Sequence, residues 1–267
     1  MPGAMDLGLD GKACVVTGAS RGIGLAVARG LAGEGAGVLL VARHGDALAR
    51  AAEDVGGRAE TLTLDLVVPD AGERAIAACE EAFGGIDVLV NDAGTSQARP
   101  LEELPDDEWQ RQWDLHVMAP MRLMRAAAPR MARRGAGRIV NVSSSSGKRP
   151  SGNLDPSYSV TKAAELSLSR VFADRWAGEG VLVNAVTPGP VEGELWFEPG
   201  GLADQIAARQ GTDRDTVLEA VRARTPVGRM GTAEEIAAVV VFLCSARASN
   251  VTGAAWSVDG GSVPIIL

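Results

Sequence analysis

The chain of 267 residues is 46% hydrophobic and 22% charged, which is typical of a globular protein able to bury one large core or two small ones. Its net charge of −8 argues against nucleic acid or an anionic membrane as a partner, and no apolar run reaches the roughly 18 residues that span a bilayer. Three scattered cysteines and two histidines offer no metal-ligand spacing, so the expected chemistry uses no metal.

The N-terminal residues 1–6 lack the basic and apolar regions of a signal peptide. Cys14, Cys79 and Cys244 each lie among apolar neighbours and are predicted to be core thiols in a reducing compartment. The expected location is therefore the cytoplasm.

Short apolar runs alternate with segments of helical periodicity along the whole chain. The predicted strands are residues 13–16, 37–42, 61–64, 86–90, 138–142, 181–186 and 255–258. The predicted helices are residues 23–32, 46–55, 71–83, 106–134, 157–176 and 233–245, with Pro120 and Pro129 expected to kink or break the fourth. Because the strands are apolar on both faces and no linker interrupts the series, we predict an α/β fold in one domain, residues 1–267. It is a three-layer, doubly wound parallel sheet (a Rossmann fold) of about seven strands.

Residues 190–226 fit this alternation least well. The segment is long for a connection, and it contains Trp196 and Phe197 although aromatic residues make up only 4% of the chain. Long insertions of this kind are usually lids or binding loops, so a substrate lid is predicted here. The alternative is a helical hairpin packed on the core.

Three glycines lie between the first strand and the first helix, where Gly18, Gly22 and Gly24 form the spacing G-x-x-x-G-x-G. Glycines at such a junction let the backbone approach a pyrophosphate, and the helix N-terminus supplies N–H donors and a positive dipole. A dinucleotide site is therefore predicted, against the alternative of a purely structural turn.

The end of the second strand indicates which dinucleotide is bound. Folds that prefer NAD usually carry an acidic residue there, whereas a nearby arginine accommodates the 2′-phosphate of NADP. This strand ends in Arg43, and Arg21 lies within the glycine turn. Unless both arginines are merely solvated, NADP(H) is the predicted cofactor.

Tyr158 is the only tyrosine in the chain, and Lys162 follows it at the helical spacing i+4. An ammonium beside a phenol favours the phenolate, so such a pair can exchange a proton near neutral pH. On its own the pair could equally be a solvated helix face. Asn141-Val-Ser-Ser144, fourteen residues before the tyrosine, favours the catalytic interpretation.

Taken together, these stretches resemble the short-chain dehydrogenase/reductase family over nearly the whole chain. The matching motifs are residues 17–24, Asp65, residues 91–94, residues 141–144, Tyr158 with Lys162, and residues 184–189, 229–231 and 258–261. The resemblance implies a protein that binds NAD(P)(H) and moves a hydride between C4 of the nicotinamide and a carbonyl carbon.

The resemblance also implies roles for individual residues. Tyr158 is the general acid or base, Ser144 hydrogen-bonds the same substrate oxygen, and Lys162 holds the nicotinamide ribose. Ser143, Ser145 and Ser146 flank Ser144, whose assignment rests on alignment with Gly147. The expected cofactor-binding residues are Gly18, Ser20, Arg21, Gly22, Ile23, Gly24, Arg43, Asp65, Leu66, Asn91, Ala93, Gly94, Tyr158, Lys162, Pro188, Gly189 and Val191.

The chain departs from the family's pattern at three places. Asp92 stands where a second asparagine is common and is interpreted as structural, and Val191 stands near a frequent threonine, leaving that contact to the backbone. His116 stands where an asparagine usually holds a relay water near the lysine, so it is predicted to be catalytic through a ring nitrogen. The alternative is a packed, hydrogen-bonded histidine.

The leading hypothesis is an NADP(H)-dependent carbonyl reductase or alcohol dehydrogenase acting on a small molecule, assembled as a homotetramer or homodimer. One alternative is reduction of 3-oxoacyl groups on an acyl carrier, docked on Arg130, Arg133, Arg134 and Arg138 unless these are solvated. Another is a nucleotide-binding regulatory module with little turnover. Lys148 and Arg149 either meet an anionic substrate or are solvated.

Overall fold

Seven parallel strands form one sheet in the order β3-β2-β1-β4-β5-β6-β7. The structure is a computed structural model that describes residues 5–150 and 155–265, so most of the N-terminal segment assessed for a signal peptide lies outside the described residues. The strands are β1 (Ala13–Thr17), β2 (Gly37–Ala42), β3 (Ala59–Thr63), β4 (Val88–Asn91), β5 (Gly137–Val142), β6 (Val181–Pro188) and β7 (Ala255–Val258). The predicted doubly wound α/β fold is confirmed.

Helices cover both faces of the sheet and make three layers. They are α1 (Gly22–Gly33), α2 (Gly45–Val55), α3 (Ala71–Phe83), α4 (Asp106–Trp113), α5 (Ala119–Arg133), α6 (Ser145–Lys148), α7 (Pro156–Trp176), α8 (Glu194–Phe197), α9 (Leu202–Gln210), α10 (Arg214–Ala223) and α11 (Ala233–Cys244). Along β1, Cys14 and Val16 pack toward α1, α2 and α11, whereas Val15 packs toward α3, α5 and α7. This alternation follows from the two-residue period of a strand.

The expectation that every strand is apolar on both faces is wrong for β3. This strand is at the edge of the sheet and pairs only with β2, so Glu60, Thr61 and Thr63 are exposed. The expectation holds for β1, in which all five residues are buried. Burial on both faces thus depends on a strand's position in the sheet.

The predicted interruption in residues 106–134 lies one turn earlier than expected. The chain forms a π-helical turn at Asp114–Met118, between α4 and α5, and α5 then continues through Pro129. A proline ring clashes with the carbonyl four residues before it, which for Pro120 is that of His116. The wider π turn accommodates this clash and holds His116 in the interior.

The order of the strands reverses between β1 and β4, because β1 pairs with β2 on one side and with β4 on the other. The connection after β1 runs toward β2, whereas the connection after β4 runs toward β5. A crevice therefore opens between the carboxyl ends of β1 and β4. The loops after β1, β4 and β5 therefore meet at one edge of the sheet.

Residues 190–226 form α8, α9 and α10 rather than an extended loop. Trp196, Leu202 and Leu218 join Ala98 and Met230 in a small apolar cluster separate from the two sides of the sheet. The segment thus packs next to the crevice on a small core that it shares with Ala98 and Met230.

The three cysteines are free and buried, as expected of core thiols. Burial raises the pKa of Cys79 and Cys244 to about 12, so both remain protonated at neutral pH. Within the described ranges, no helix is both long and apolar enough to cross a bilayer.

Candidate active site

A cavity of about 520 Å³ opens at the carboxyl ends of the strands. Nearly all the residues predicted to bind the cofactor line it, namely Gly18, Ser20, Arg21, Gly22, Ile23, Arg43, Asp65, Leu66, Ala93, Gly94, Tyr158, Lys162, Pro188, Gly189 and Val191. Ser144 also lines it, as do Glu192, Leu195 and Trp196 from the segment at residues 190–226. The fold therefore brings the glycine turn near the start of the chain and the residues after β6 to one site.

The glycine turn packs directly against the loop that follows β4. A side-chain carbon at Gly18 would lie 2.9 Å from the Cα of Ala93, and Gly18 has a positive φ of 69°. One at Gly24 would lie 2.7 Å from the carbonyl oxygen of Gly18 and 2.8 Å from Oδ2 of Asp92. Gly24 does not line the cavity. Its lack of a side chain allows α1 to begin close to both loops.

Asn91 does not line the cavity either. Its side-chain amide donates to Oδ1 of Asn141 over 2.8 Å, where the two residues pair across β4 and β5. The Thr17 hydroxyl accepts from the backbone N–H groups of Asp92 and Ala93 at 3.1 and 3.2 Å. These bonds hold the ends of β1, β4 and β5 together beneath the cavity.

Asp92 is only partly exposed to the cavity, and its carboxyl is surrounded mostly by protein. This burial raises its pKa to about 8, although Lys162 and the N–H of Gly24 act in the opposite direction. At neutral pH the side chain is therefore mainly a protonated carboxyl, which resembles an asparagine amide in shape and in being uncharged, although it has one donor where the amide has two.

Two arginines border the cavity at the end of β2 and in the glycine turn. Arg43 is exposed and forms no ion pair within the described part of the chain. Arg21 lies 3.4 Å from Glu198, and both side chains are exposed. Neither guanidinium is committed to a buried partner, so both are available to an anion in the cavity.

Ser144 caps the short helix α6 and is 8% exposed. Its hydroxyl oxygen accepts from the N–H of Ser146 at 3.1 Å, whereas the Ser143 hydroxyl donates to the carbonyl of Lys162. Ser143 is therefore occupied by the backbone of α7. This difference separates Ser144 from its immediate neighbour.

Helix α7 fixes Tyr158 and Lys162 relative to the sheet. Asp155 caps the helix by accepting from the N–H groups of Ser157 and Tyr158. Four residues later, the Lys162 Nζ lies 6.0 Å from the centre of the tyrosine ring. Tyr158 is partly exposed to the cavity and Lys162 is 3% exposed, so a phenol at the wall is backed by a buried ammonium.

Two acceptors hold the Lys162 ammonium. Nζ donates to the carbonyl of Val142 at 2.9 Å and to Oε2 of Glu165 at 2.8 Å. Burial lowers the pKa of Lys162, but Glu165, Tyr158 and Asp92 outweigh it and raise that pKa above its usual value. Glu165 is not among the residues predicted from the sequence, although its i+3 spacing from Lys162 is a signal for such a pair.

His116 has different partners from those expected. Its Nε2 accepts from the N–H of Thr95 at 3.2 Å, so the ring proton is on Nδ1, 3.0 Å from Oγ1 of Thr161. That hydroxyl donates in turn to the carbonyl of Tyr158. With both ring nitrogens bonded and the ring wholly buried, no ring nitrogen is left for a relay water.

The pKa of His116 also differs from that of an ordinary imidazole. Burial, and secondly the charge of Lys162, lower the pKa well below its ordinary value of 6.5. The ring stacks edge-on against Tyr158 with its centre 5.3 Å away. It is a neutral, packed support for the tyrosine.

The basic residues considered for docking an acyl carrier are mostly engaged. Arg130 pairs with Glu73 and Glu80, and Arg134 lies 3.7 Å from Asp87. Arg138 is half-buried, which lowers its pKa. Lys148, considered for an anionic substrate, donates to the carbonyl of Ala255 and to Ser257 on β7. The structure therefore gives little support to a basic docking face.

The fold and the cavity define a dinucleotide-binding oxidoreductase, and comparison with known proteins identifies its family. Residues 18–262 match the family model described as enoyl-(acyl carrier protein) reductase. The chain is 39% identical over 250 residues to the short-chain reductase protein NovJ of Streptomyces niveus, covering 92% of each chain. It is 38% identical over 256 residues to a galactitol 2-dehydrogenase (L-tagatose-forming) of Cereibacter sphaeroides, covering 95% of each.

A solved structure is equally similar. The L-sorbose reductase of Gluconobacter frateurii, in complex with NADPH and L-sorbose, superimposes with a TM-score of 0.91 at 37% identity. The match covers 98% of this chain and 100% of that one. The chain belongs to the short-chain dehydrogenase/reductase family and is an oxidoreductase.

His116 should make the folded protein more sensitive to acid. Because its folded pKa is depressed, the unfolded chain takes up a proton near pH 6.5 that the folded chain does not. The free energy of unfolding should therefore fall by about 1.4 kcal/mol per pH unit below that value, until the folded pKa is reached. Urea unfolding of the wild type and His116→Asn at about pH 7.5 and about pH 5.5 measures this difference. An equal fall in both proteins would show that the ring is not held neutral.

Proposed function

We propose that this protein is an NADP(H)-dependent reductase of ketones, or dehydrogenase of the corresponding secondary alcohols, in the cytoplasm. The observation that carries the proposal is the convergence of Ser144, Tyr158 and the buried Lys162 on the cavity that the glycine turn borders. The intact triad argues against a regulatory module without turnover.

In this mechanism, Tyr158 donates its phenolic proton to the carbonyl oxygen during reduction and removes the proton from the hydroxyl during oxidation. Ser144 would donate a second hydrogen bond to the same oxygen, and Lys162 would hold the ribose of the cofactor and keep a positive charge near the phenol. The nicotinamide, when bound, supplies or accepts the hydride. The remaining contribution of the protein is position and charge.

The residues around the cavity fit a dinucleotide. Gly18 and Gly22 in the turn have positive φ and carry no side chains, so a diphosphate can approach the start of α1. Arg43 and Arg21 border the end of the cavity at β2, where a 2′-phosphate would lie. This arrangement favours NADP(H) over NAD(H).

The substrate side of the cavity favours a small hydroxylated ketone over a long acyl chain. Ser96 is 6% exposed, and its hydroxyl has no hydrogen-bond partner among the described residues. Glu192 and Glu194 add acceptors, while Leu195 and Trp196 form the apolar part. Hydroxyl groups on a sugar or polyol would satisfy these polar atoms.

A panel of substrates tests this preference. NADPH oxidation is measured with ketoses, simple apolar ketones and 3-oxoacyl thioesters. We expect the ketoses to give the highest kcat/KM. A higher value with the thioesters would support the acyl-carrier alternative, which the family description also suggests.

We propose further that residues 190–226 act as a lid on a single domain. Trp196 and Leu195 line the cavity from α8, and the apolar cluster that holds this segment together is separate from the two sides of the sheet, which supports movement of α8, α9 and α10 as a unit.

Replacing Tyr158 with phenylalanine should abolish turnover without preventing cofactor binding. The variant keeps the ring that packs against His116 and loses only the hydroxyl. General acid–base groups contribute about 10²- to 10⁴-fold, so the loss in kcat should lie in that range while NADPH still binds. Steady-state kinetics and NADPH fluorescence titration measure the two effects. A variant with more than about a tenth of the wild-type rate would exclude the acid–base role.

Replacing Arg43 with aspartate should abolish the preference for NADP(H). Hydrogen bonds between charged groups contribute roughly 1.5–3 kcal/mol, so NADPH affinity should fall by about 10- to 150-fold. NADH affinity should rise, since the carboxylate accepts from ribose hydroxyls. Arg50→Asp is the matched control, because Arg50 is an exposed residue of α2 outside the cavity with the same charge change. Equal affinity of the wild type for both cofactors would refute the assignment.

We propose a homotetramer or homodimer in solution. Exposed apolar side chains on α4 and α7 support this proposal: Trp113 is 40% exposed, Val160 is 46% exposed and Val171 is 59% exposed. Light scattering at micromolar concentration measures the mass, and a monomer would contradict the proposal.

A further inference from the structure

One ion pair in the described part of the chain has both partners almost wholly buried. The Lys162 and Glu165 side chains are 3% and 2% exposed, and their charged atoms lie 2.8 Å apart. The other ion pairs each have at least one exposed or half-exposed partner, as in Arg111–Glu108. A buried pair of this kind costs desolvation energy, and it is weak evidence for stability.

The geometry points to what this pair does for the ammonium. Of the three N–H donors of Lys162, one is directed to the carbonyl of Val142 at the end of β5 and one to Glu165. One donor therefore remains for the cavity, on the side of Tyr158. Because both acceptors are buried, the ammonium has a fixed position in the absence of any bound molecule.

The charges around the pair are few. Tyr158 faces it from the same helix, Asp92 from the loop after β4 and His116 from the π turn. Asp92 is mainly protonated at neutral pH, and His116 is neutral. Among the described residues, Glu165 is the acid within hydrogen-bond distance of the Lys162 ammonium, so it is the group that opposes the positive charge at this site.

We propose that Glu165 is a positioning residue, which fixes the Lys162 ammonium and offsets part of its positive charge at Tyr158. The Tyr158 phenol then loses its proton at a higher pH than it would if Lys162 had no carboxylate beside it. The acid form of the tyrosine is thereby kept available for carbonyl reduction near neutral pH. The catalytic meaning of this inference rests on the proposed function, but its electrostatic content does not.

The single tyrosine permits a direct test without turnover. Because Tyr158 is the only tyrosine among 267 residues, the ultraviolet absorbance of tyrosinate reports on this site alone. In cofactor-free Glu165→Gln, Tyr158 should deprotonate at a pH lower than in the wild type. A unit charge removed within about 10 Å, at an effective dielectric constant near 20, changes the midpoint by about one pH unit.

Glu108→Gln is the matched control. Glu108 is a 5% exposed acid that pairs with Arg111, and it has no hydrogen bond to Lys162. Its replacement removes a buried carboxylate without touching the site, so the tyrosinate midpoint should not change. If Glu165→Gln does not fold, Glu165→Asp withdraws the carboxylate from Lys162 and should give a smaller shift in the same direction.

A double-mutant cycle separates a role through Lys162 from a direct effect on the tyrosine. Burial raises the pKa of the Glu165 carboxyl and Lys162 opposes this effect, so removing the lysine should raise that pKa further and weaken the carboxylate form. Adding Glu165→Gln to Lys162→Met should therefore shift the midpoint by far less than it does in the wild type. An equal shift in both backgrounds would show that Glu165 does not act through the lysine.

The outcomes distinguish this inference from the proposed function. An unchanged or raised midpoint in Glu165→Gln overturns the positioning role, whether or not the wild type reduces ketones. If the midpoint is lowered but no ketone in the panel supports NADPH oxidation, the inference stands and the proposed function is refuted. In an active enzyme, the pH profile of alcohol oxidation should shift with the tyrosinate midpoint.

Discussion

The arrangement of the site depends on a charged ammonium held inside the protein. Lys162 is 3% exposed, and such a charge persists only where hydrogen-bond acceptors replace water. The Val142 carbonyl at the end of β5 and the Glu165 carboxylate supply them, so the lysine ties α7 to the sheet. Tyr158 lies one turn away on the same helix and is oriented by the same anchor.

The second constraint is the close approach of the loops after β1 and β4, where the strand order of the sheet reverses. Gly18 contacts the backbone of Ala93 so closely that no side chain fits between them, and the Thr17 hydroxyl accepts two N–H groups from the β4 loop. These contacts place the turn that would hold the diphosphate on the wall of the same cavity as Tyr158. The same backbone contacts therefore position both the proposed cofactor site and the proposed catalytic residues.

The two departures from the family's pattern that lie closest to the lysine share a physical property. Asp92 and His116 are titratable residues where uncharged asparagines are common, yet burial raises the pKa of the first and lowers that of the second. Both therefore remain mainly uncharged near pH 7. Neither residue therefore adds a full charge beside Lys162, which gives the ammonium a simpler electrostatic environment than the nearby composition suggests.

The sequence by itself determined the fold class, all seven strand positions to within two residues, and most of the cavity lining. Hydrophobic periodicity and glycine spacing are local signals, which explains why β2 and β7 were predicted at their observed bounds. Tertiary structure alone decided the exposure of β3, the side-chain role of Asn91 between two strands, and the partners of His116. It also decided the burial of Glu165 against Lys162, because hydrogen-bond partners and desolvation come from elements distant in the chain.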